Sequence, residues 1–187
     1  MKLLRASDHK RMPWKNGGGE TVEIAVSPEG VGLADFDWRV SMATVATDGP
    51  FSVFPGIDRT LSILDGEGMT LFIQGRAPER LTQASEPLPF AADAPTSATL
   101  IDGTITDLNV MTRRGRFTHS VRRVSVDGNA TLAFTSGMGV LLCHRGCIEV
   151  AGWMLTAGDC VVMAANSEVH HCVLGTANLF FIEIRAV

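Results

Sequence analysis

The chain lacks any run approaching the roughly 20 apolar residues that a membrane-spanning helix needs. Its opening, MKLLRASDHKR, has no apolar stretch of signal-peptide length. It is also poor in basic charge: 16 Lys and Arg against 20 Asp and Glu give a formal net charge of −4 and a pI near 5.7. That balance argues against a surface built for nucleic acid or anionic membrane. Cysteines are few, and all of them (Cys143, Cys147, Cys160, Cys172) fall in the last third, within apolar strand-like sequence. They read as buried thiols in a reducing compartment, not as a disulfide framework. Helical periodicity persists nowhere. What is present, 45% hydrophobic and 19% charged residues over 187 positions, suffices for one good-sized core or two small ones packed together. The expectation is a soluble cytoplasmic protein.

The stretch Asp48 to Arg59, DGPFSVFPGIDR, packs two Gly, two Pro and two Phe into a short span ending in an acid and a base. This is loop chemistry that sets polar groups beside an apolar wall. Its plainest alternative is an ordinary turn with Asp58 and Arg59 as a solvated pair. Earlier, Met12 to Thr21 reads MPWKNGGGET, where three successive glycines strip the backbone of side chains just after Trp14, Lys15 and Asn16. Such a backbone offers N–H groups to an anion or lets another segment approach closely, although the spacing matches no phosphate or dinucleotide loop.

The rest of the chain alternates with the period of a strand. Between Asp35 and Met42, Arg39 and Ser41 share one face while Trp38, Val40 and Met42 share the other. Thr60 to Leu64, a turn over 65–68, and Met69 to Ile73 read as a hairpin. The Pro- and Ala-rich segment Arg76 to Ser97 reads as irregular apart from Leu88-Pro89-Phe90. In Thr104 to Thr112, Ile105, Asp107, Asn109 and Met111 share one face, so two polar groups need partners or a polar cavity. Arg113-Arg114-Gly115-Arg116, followed by Arg122-Arg123, reads as a solvated connection between two halves. Many short strands without helices indicate an all-β barrel or sandwich.

A weak internal repeat supports two such halves. Leu61 to Gly66 parallels Leu141 to Gly146 at a spacing of 80, and Gly103-Thr104 parallels Gly175-Thr176 at 72. In that register Asp107 and Asn109 of the first copy correspond to Leu179 and Phe181 of the second. Small barrels are filled by side chains unless they hold a ligand. The first half, residues 1–112, should therefore carry the site, and 113–187 should be filled with apolar groups, with strands exchanged between the halves left open.

The segments MPWKNGGGET (12–21), WRVS (38–41), DGPFSVFPGIDR (48–59) and DLNVM (107–111) together resemble the HutD/Ves family, over essentially the whole chain. The resemblance implies a bicupin, two cupin-type jelly-roll β-barrels in one chain, and a context of histidine utilisation for the HutD branch. It supplies no reaction. Metal-dependent cupins resemble one another in a His-x-His-and-Glu motif. Here His9 and His119 are isolated and His170-His171 are adjacent, so no metal and no cofactor is expected. A zinc site built from Cys143, His144, Cys147, Cys160, His170 and Cys172 has no usual ligand spacing.

The leading expectation is a metal-free binding protein that senses or sequesters a small anionic metabolite, which the resemblance to the HutD/Ves family implies to be of the urocanate or N-formylglutamate class. Lys15, Arg39 and Arg59 supply positive charge, offset by Asp58 and Asp107. Asn16, Thr21, Ser41, Ser52 and Asn109 offer neutral hydrogen bonds, Gly56 shapes the loop, and Trp14, Phe51 and Phe54 form the apolar wall. The competing expectations are a metal-independent isomerase or hydrolase using Asp58 or Asp107 as base, and a regulatory interaction module. No nucleic-acid or membrane partner is expected; pairing of two copies through sheet edges stays open.

Overall fold

In a computed structural model of the protein, residues 1–15, 17–132, 137–163 and 174–187 are described in full and 171–173 by their backbone alone. Among these residues the chain runs through β1 (Lys2–Leu4), a 3-10 turn (Ala6–Asp8), β2 (Lys10–Pro13), β3 (Gly19–Ser27), β4 (Trp38–Val45), β5 (Gly49–Pro50) and β6 (Ile57–Asp65). It continues through β7 (Met69–Ile73), β8 (Glu79–Leu81), β9 (Leu88–Ala91), β10 (Thr96–Leu100) and β11 (Ile105–Arg113). The last strands are β12 (Phe117–Leu132), β13 (Met138–Val150), β14 (Trp153–Thr156), β15 (Cys160–Met163) and β16 (His171–Ala186). The all-β expectation holds. The chain divides into two compact units, Lys10–Thr118 and Met1–His9 joined with His119–Val187.

The unit Lys10–Thr118 consists of two antiparallel sheets, β2-β3-β4-β11-β6-β9 and β5-β10-β7-β8. Their facing sides share one apolar core, to which the large sheet gives Ala43, Leu61, Ile63 and Ile105 and the small sheet Met69, Leu71, Leu81 and Ala98. β4, β6 and β11 are rich in Val, Ile, Leu and Thr, the side chains that pack well on a pleated surface. The expected hairpin over residues 60–73 does not form. β6 pairs with β11 and β9 while β7 pairs with β10 and β8, so the turn between them carries the chain from one sheet to the other. The segment expected to be irregular likewise contributes β8, β9 and the start of β10.

The other unit has one sheet of order β1-β15-β13-β16-β12, with β14 also on β13. β13 pairs with β15 over its first half and β14 over its second, and the register shifts between Cys143 and Arg145. Its core gathers Leu141, Cys143, Ile148, Leu155, Leu179 and Phe181. Residues 1–9 belong here because β1 lies antiparallel to β15. Arg5 anchors that start, donating to the Asp159 carboxylate at 2.9 Å and to the Met154 carbonyl at 2.7 Å.

The repeat is visible in the strand registers. Leu61 faces Asn109 and Ile63 faces Asp107 across β6 and β11; Leu141 faces Phe181 and Cys143 faces Leu179 across β13 and β16. Two glycines seal the correspondence. A Cβ on Gly66 would stand 2.7 Å from the Thr104 carbonyl oxygen, and one on Gly146 2.2 Å from that of Thr176. Both have φ near +85°, which L side chains rarely adopt.

The basic run leads up to the boundary between the two units and is exposed at Arg114 and Arg116, but its arginines are engaged. Arg113 donates to the Ala34 and Phe36 carbonyls, Arg114 to the Asp58 and Asp93 carboxylates, and Arg116 pairs with Asp37. Further on, Arg122 and Arg123 lie over the rings of Phe181 and Phe180 on β16. Arginine reaches these partners because its long stem and forked head satisfy carbonyls and carboxylates along a strand edge.

Candidate functional site

Strand pairing assembles a polar patch on the inner face of the large sheet. In antiparallel sheets, directly opposed residues share a face. Ser41 opposes both Glu23 and Asn109, which in turn opposes Leu61. One step along, Ala43 opposes Thr21 and Asp107; one step the other way, Met111 opposes Arg39 and Arg59, and Arg59 opposes Phe90. β3, β4, β11 and β6 thus project Thr21, Glu23, Arg39, Ser41, Asp107, Asn109 and Arg59 to one side of the sheet. Arg39, Ser41, Arg59, Asp107 and Asn109 are all buried.

Burial of so many polar groups demands partners. Arg39 has one: its Nε donates to Glu23 Oε2 at 2.7 Å. Asp107 Oδ1 accepts from Asn109 Nδ2 at 2.6 Å. Arg59 is different. Its guanidinium carbon lies 5.3 Å from the ring centres of Phe51 and Phe54 and 5.8 Å from that of Phe90, yet its buried Nε–H meets no acceptor. Among the described residues no carboxylate forms an ion pair with it. Three phenyl faces hold the cation in place without using its hydrogen-bonding edge.

The electrostatics follow from this arrangement. Burial lowers the Arg59 pKa to about 10; the Asp107 charge opposes that shift and the Arg39 charge adds to it. Asp107 is pushed up to about 7 by burial, against the opposing pull of Arg59, the Asn109 hydrogen bond and the Ala43 N–H. The patch therefore combines a cation with an uncommitted donor, neutral hydrogen-bonding groups, and a carboxyl that gains or loses its proton near neutrality.

Trp14 stands beside this face. It is half-buried against the shared core, and its Nε1 donates to Thr21 Oγ1 at 2.8 Å. One member of the glycine run has a clear reason: a Cβ on Gly19 would sit 2.1 Å from the Thr44 carbonyl oxygen and 3.0 Å from the Trp14 ring.

Of the residues expected from sequence, the structure brings together Trp14, Thr21, Arg39, Ser41, Phe51, Phe54, Arg59, Asp107 and Asn109. Lys15 and Ser52 are exposed, and Asn16 lies outside the described residues. Asp58 is not part of the patch: β6 begins at Ile57, so Asp58 and Arg59 point to opposite faces, and Asp58 accepts from Arg114 at 2.8 Å. Gly56 shapes the approach, with φ +70° and its N–H directed to Asp93. Sequence pattern does not single out Glu23 or Phe90. Glu23 alternates with Thr21, and Phe90 is the apolar residue of an otherwise irregular segment, but only the register connects them to Arg39 and Arg59.

Among the described residues no group of three His, Cys, Asp or Glu side chains is placed to hold a metal ion. Cys143 and Cys160 are buried, with thiols pushed up by burial to about 11 and about 12. His170 lies outside the described residues, as do the side chains of His171 and Cys172. No helix is long and apolar enough to cross a membrane.

A family model described as HutD matches residues 6–181. Protein Ves of Cronobacter sakazakii is 42% identical over 184 residues, covering 95% of this chain and 96% of that protein. An uncharacterized 21.2 kDa protein in the hutC 3′ region of Pseudomonas putida is 35% identical over 174 residues, 90% of each chain. The structure of HutD from Pseudomonas fluorescens SBW25, in a formate condition, superposes with a TM-score of 0.86 at 32% identity, over 100% of this chain and 98% of that one. At the level of fold alone, a cupin 2 conserved barrel domain protein from Leptotrichia buccalis matches with a TM-score of 0.58 at 14% identity, over 88% of each chain. The architecture is cupin-type.

Proposed function

The chain belongs to the HutD family, and on that premise we propose that it binds a small carboxylate metabolite through Arg59 and so senses or sequesters an intermediate of histidine degradation. One observation carries this reading: Arg59 is 4% exposed and its guanidinium is held by three aromatic rings, with a buried Nε–H that no atom of the described residues accepts. An unsatisfied buried donor is costly, and the cost is recovered when a carboxylate arrives. Asn109 and Ser41 offer neutral hydrogen bonds beside it, and Trp14 and Phe51 the apolar wall. Family membership ties the chain to histidine utilisation, whose intermediates include carboxylates. Urocanate and N-formylglutamate are the acids of choice.

The test is a thermal-shift screen of chelator-treated protein against urocanate, histidine, glutamate, N-formylglutamate and formate. A ligand that binds only the folded state raises the melting temperature by mass action. A shift with one acid that disappears in Arg59→Met supports the reading; no shift with any acid defeats it. The carboxyl of Asp107, which titrates near neutrality, favours one further reading, a metal-independent enzyme with Asp107 as general base. Turnover of urocanate or N-formylglutamate that is lost in Asp107→Asn would establish it.

A further inference from the structure

The charges on the inner face of the large sheet can be counted. At its centre stand four: Glu23 on β3, Arg39 on β4, Arg59 on β6 and Asp107 on β11; Lys10, opposite Glu23 on β2, is exposed, Arg113 at the end of β11 is held by the Ala34 and Phe36 carbonyls, and the small sheet meets the shared core with Met69, Leu71 and Ala98. Two cations and two ionised carboxyls sum to zero. Glu23 is already committed to Arg39, so Arg59 is the cation left for a guest and Asp107 the acid that answers it. If a ligand carboxylate settles on Arg59 while Asp107 stays ionised, two buried anions share one cation. Like charges in a site of low polarisability are strongly disfavoured together, and the usual outcome is that one of them takes a proton.

We propose that this face takes up one ligand carboxylate together with one proton, and that Asp107 is the residue that sets the charge of the ligand it accepts. The inference rests on the binding reading above. Asp107 is 1% exposed and accepts from Asn109 Nδ2 at 2.6 Å, so the incoming proton is held inside the face. The only bond broken is that of the buffer acid that supplies the proton, and the one formed is the O–H of the Asp107 carboxyl. Its readiness to protonate near neutrality, already imposed by burial, makes the uptake easy. With Asp107 neutral these four central groups carry a net charge of +1 and are matched by a monoanion. A dianion such as N-formylglutamate then seats only one of its carboxylates here and keeps the other in solvent, whereas urocanate satisfies the face completely.

Isothermal titration of the full chain with urocanate at pH 8, in buffers of different ionisation enthalpy, tests this directly. The expected result is uptake of about one proton per ligand, with affinity falling roughly tenfold per pH unit from pH 7.5 to 9, where the probe's own carboxylate stays ionised. Asp107→Asn, which mimics the neutral acid, should bind with uptake near zero and with an affinity flat in pH. Should that variant fail to fold, the wild-type titration decides alone. Binding of urocanate with no proton uptake and no pH dependence overturns the inference and leaves the binding reading standing. No binding of urocanate, N-formylglutamate or formate at any pH overturns both.

Discussion

β6 with β11 and β13 with β16 are corresponding strand pairs with opposite interiors. Where the first sets Asp107 and Asn109 against Ile63 and Leu61, the second sets Leu179 and Phe181 against Cys143 and Leu141. The difference extends one step along, where Arg59 opposes Met111 and its counterpart is Gly139 opposing Glu183. The backbone frame is indifferent to which set it carries. The apolar set gains the ordinary stabilisation of burial, about 25 cal/mol per Å² removed from water. The polar set gives up part of that gain and holds a desolvated guanidinium and carboxyl in its place. The sacrifice falls on one copy while the other remains a plain core.

The comparison can be broken most severely at Leu179. Leu179→Asp places in the second interior the residue type that the first one tolerates, without Arg59 or Asn109 to receive it. Loss of about 3–5 kcal/mol in urea denaturation is expected; a well-folded variant would show that the interiors are equivalent after all. Arg59→Met breaks it from the other side. It should weaken carboxylate binding roughly 30-fold or more, the counterpart of about 2 kcal/mol, while the urea midpoint stays the same or rises. A fall in stability instead would make Arg59 a structural cation.

Asp107→Asn sharpens the comparison through pH. The unfolded chain releases this proton near pH 4 and the folded protein holds it until about pH 7. Stability therefore falls as pH rises through that window and is level above it, by roughly 4 kcal/mol at most. The Asn variant should lack this decline and gain on the wild type as pH rises from 4 to 7, read as the urea midpoint against pH. The smallest effect belongs to Arg114→Ala. Its bonds to Asp58 and Asp93 are exposed, so the melting temperature should drop only slightly and binding should not change; a loss of binding would bring Asp58 back into the site.

Much of the polar face is legible in alternation. The period of two alone puts Arg39 with Ser41 and Asp107 with Asn109, and the repeat tells which copy is polar. What alternation does not reveal is which strands become neighbours. Glu23 and Phe90 acquire their roles only from pairing across β3–β4 and β6–β9. The turn after Asp65 looks like a hairpin because local chemistry is the same whether a chain reverses within a sheet or crosses to another. Sequence misplaces Asp58 for a related reason: a motif rich in Gly and Pro conceals the residue at which the strand begins, and a boundary shift of one position exchanges the two faces.

The short strand β1 has a bearing on how the chain is made. Its partner β15 is specified near the opposite end of the sequence, with the whole of Lys10–Thr118 lying between. At about 5–20 residues per second, a ribosome needs roughly ten to thirty seconds to traverse that interval. Throughout that time the segment that will complete the later unit trails from one already free to fold. Synthesis thus imposes an order, in which the unit Lys10–Thr118 can mature first and the closing of the apolar half, tied by Arg5 to Asp159, is the last event.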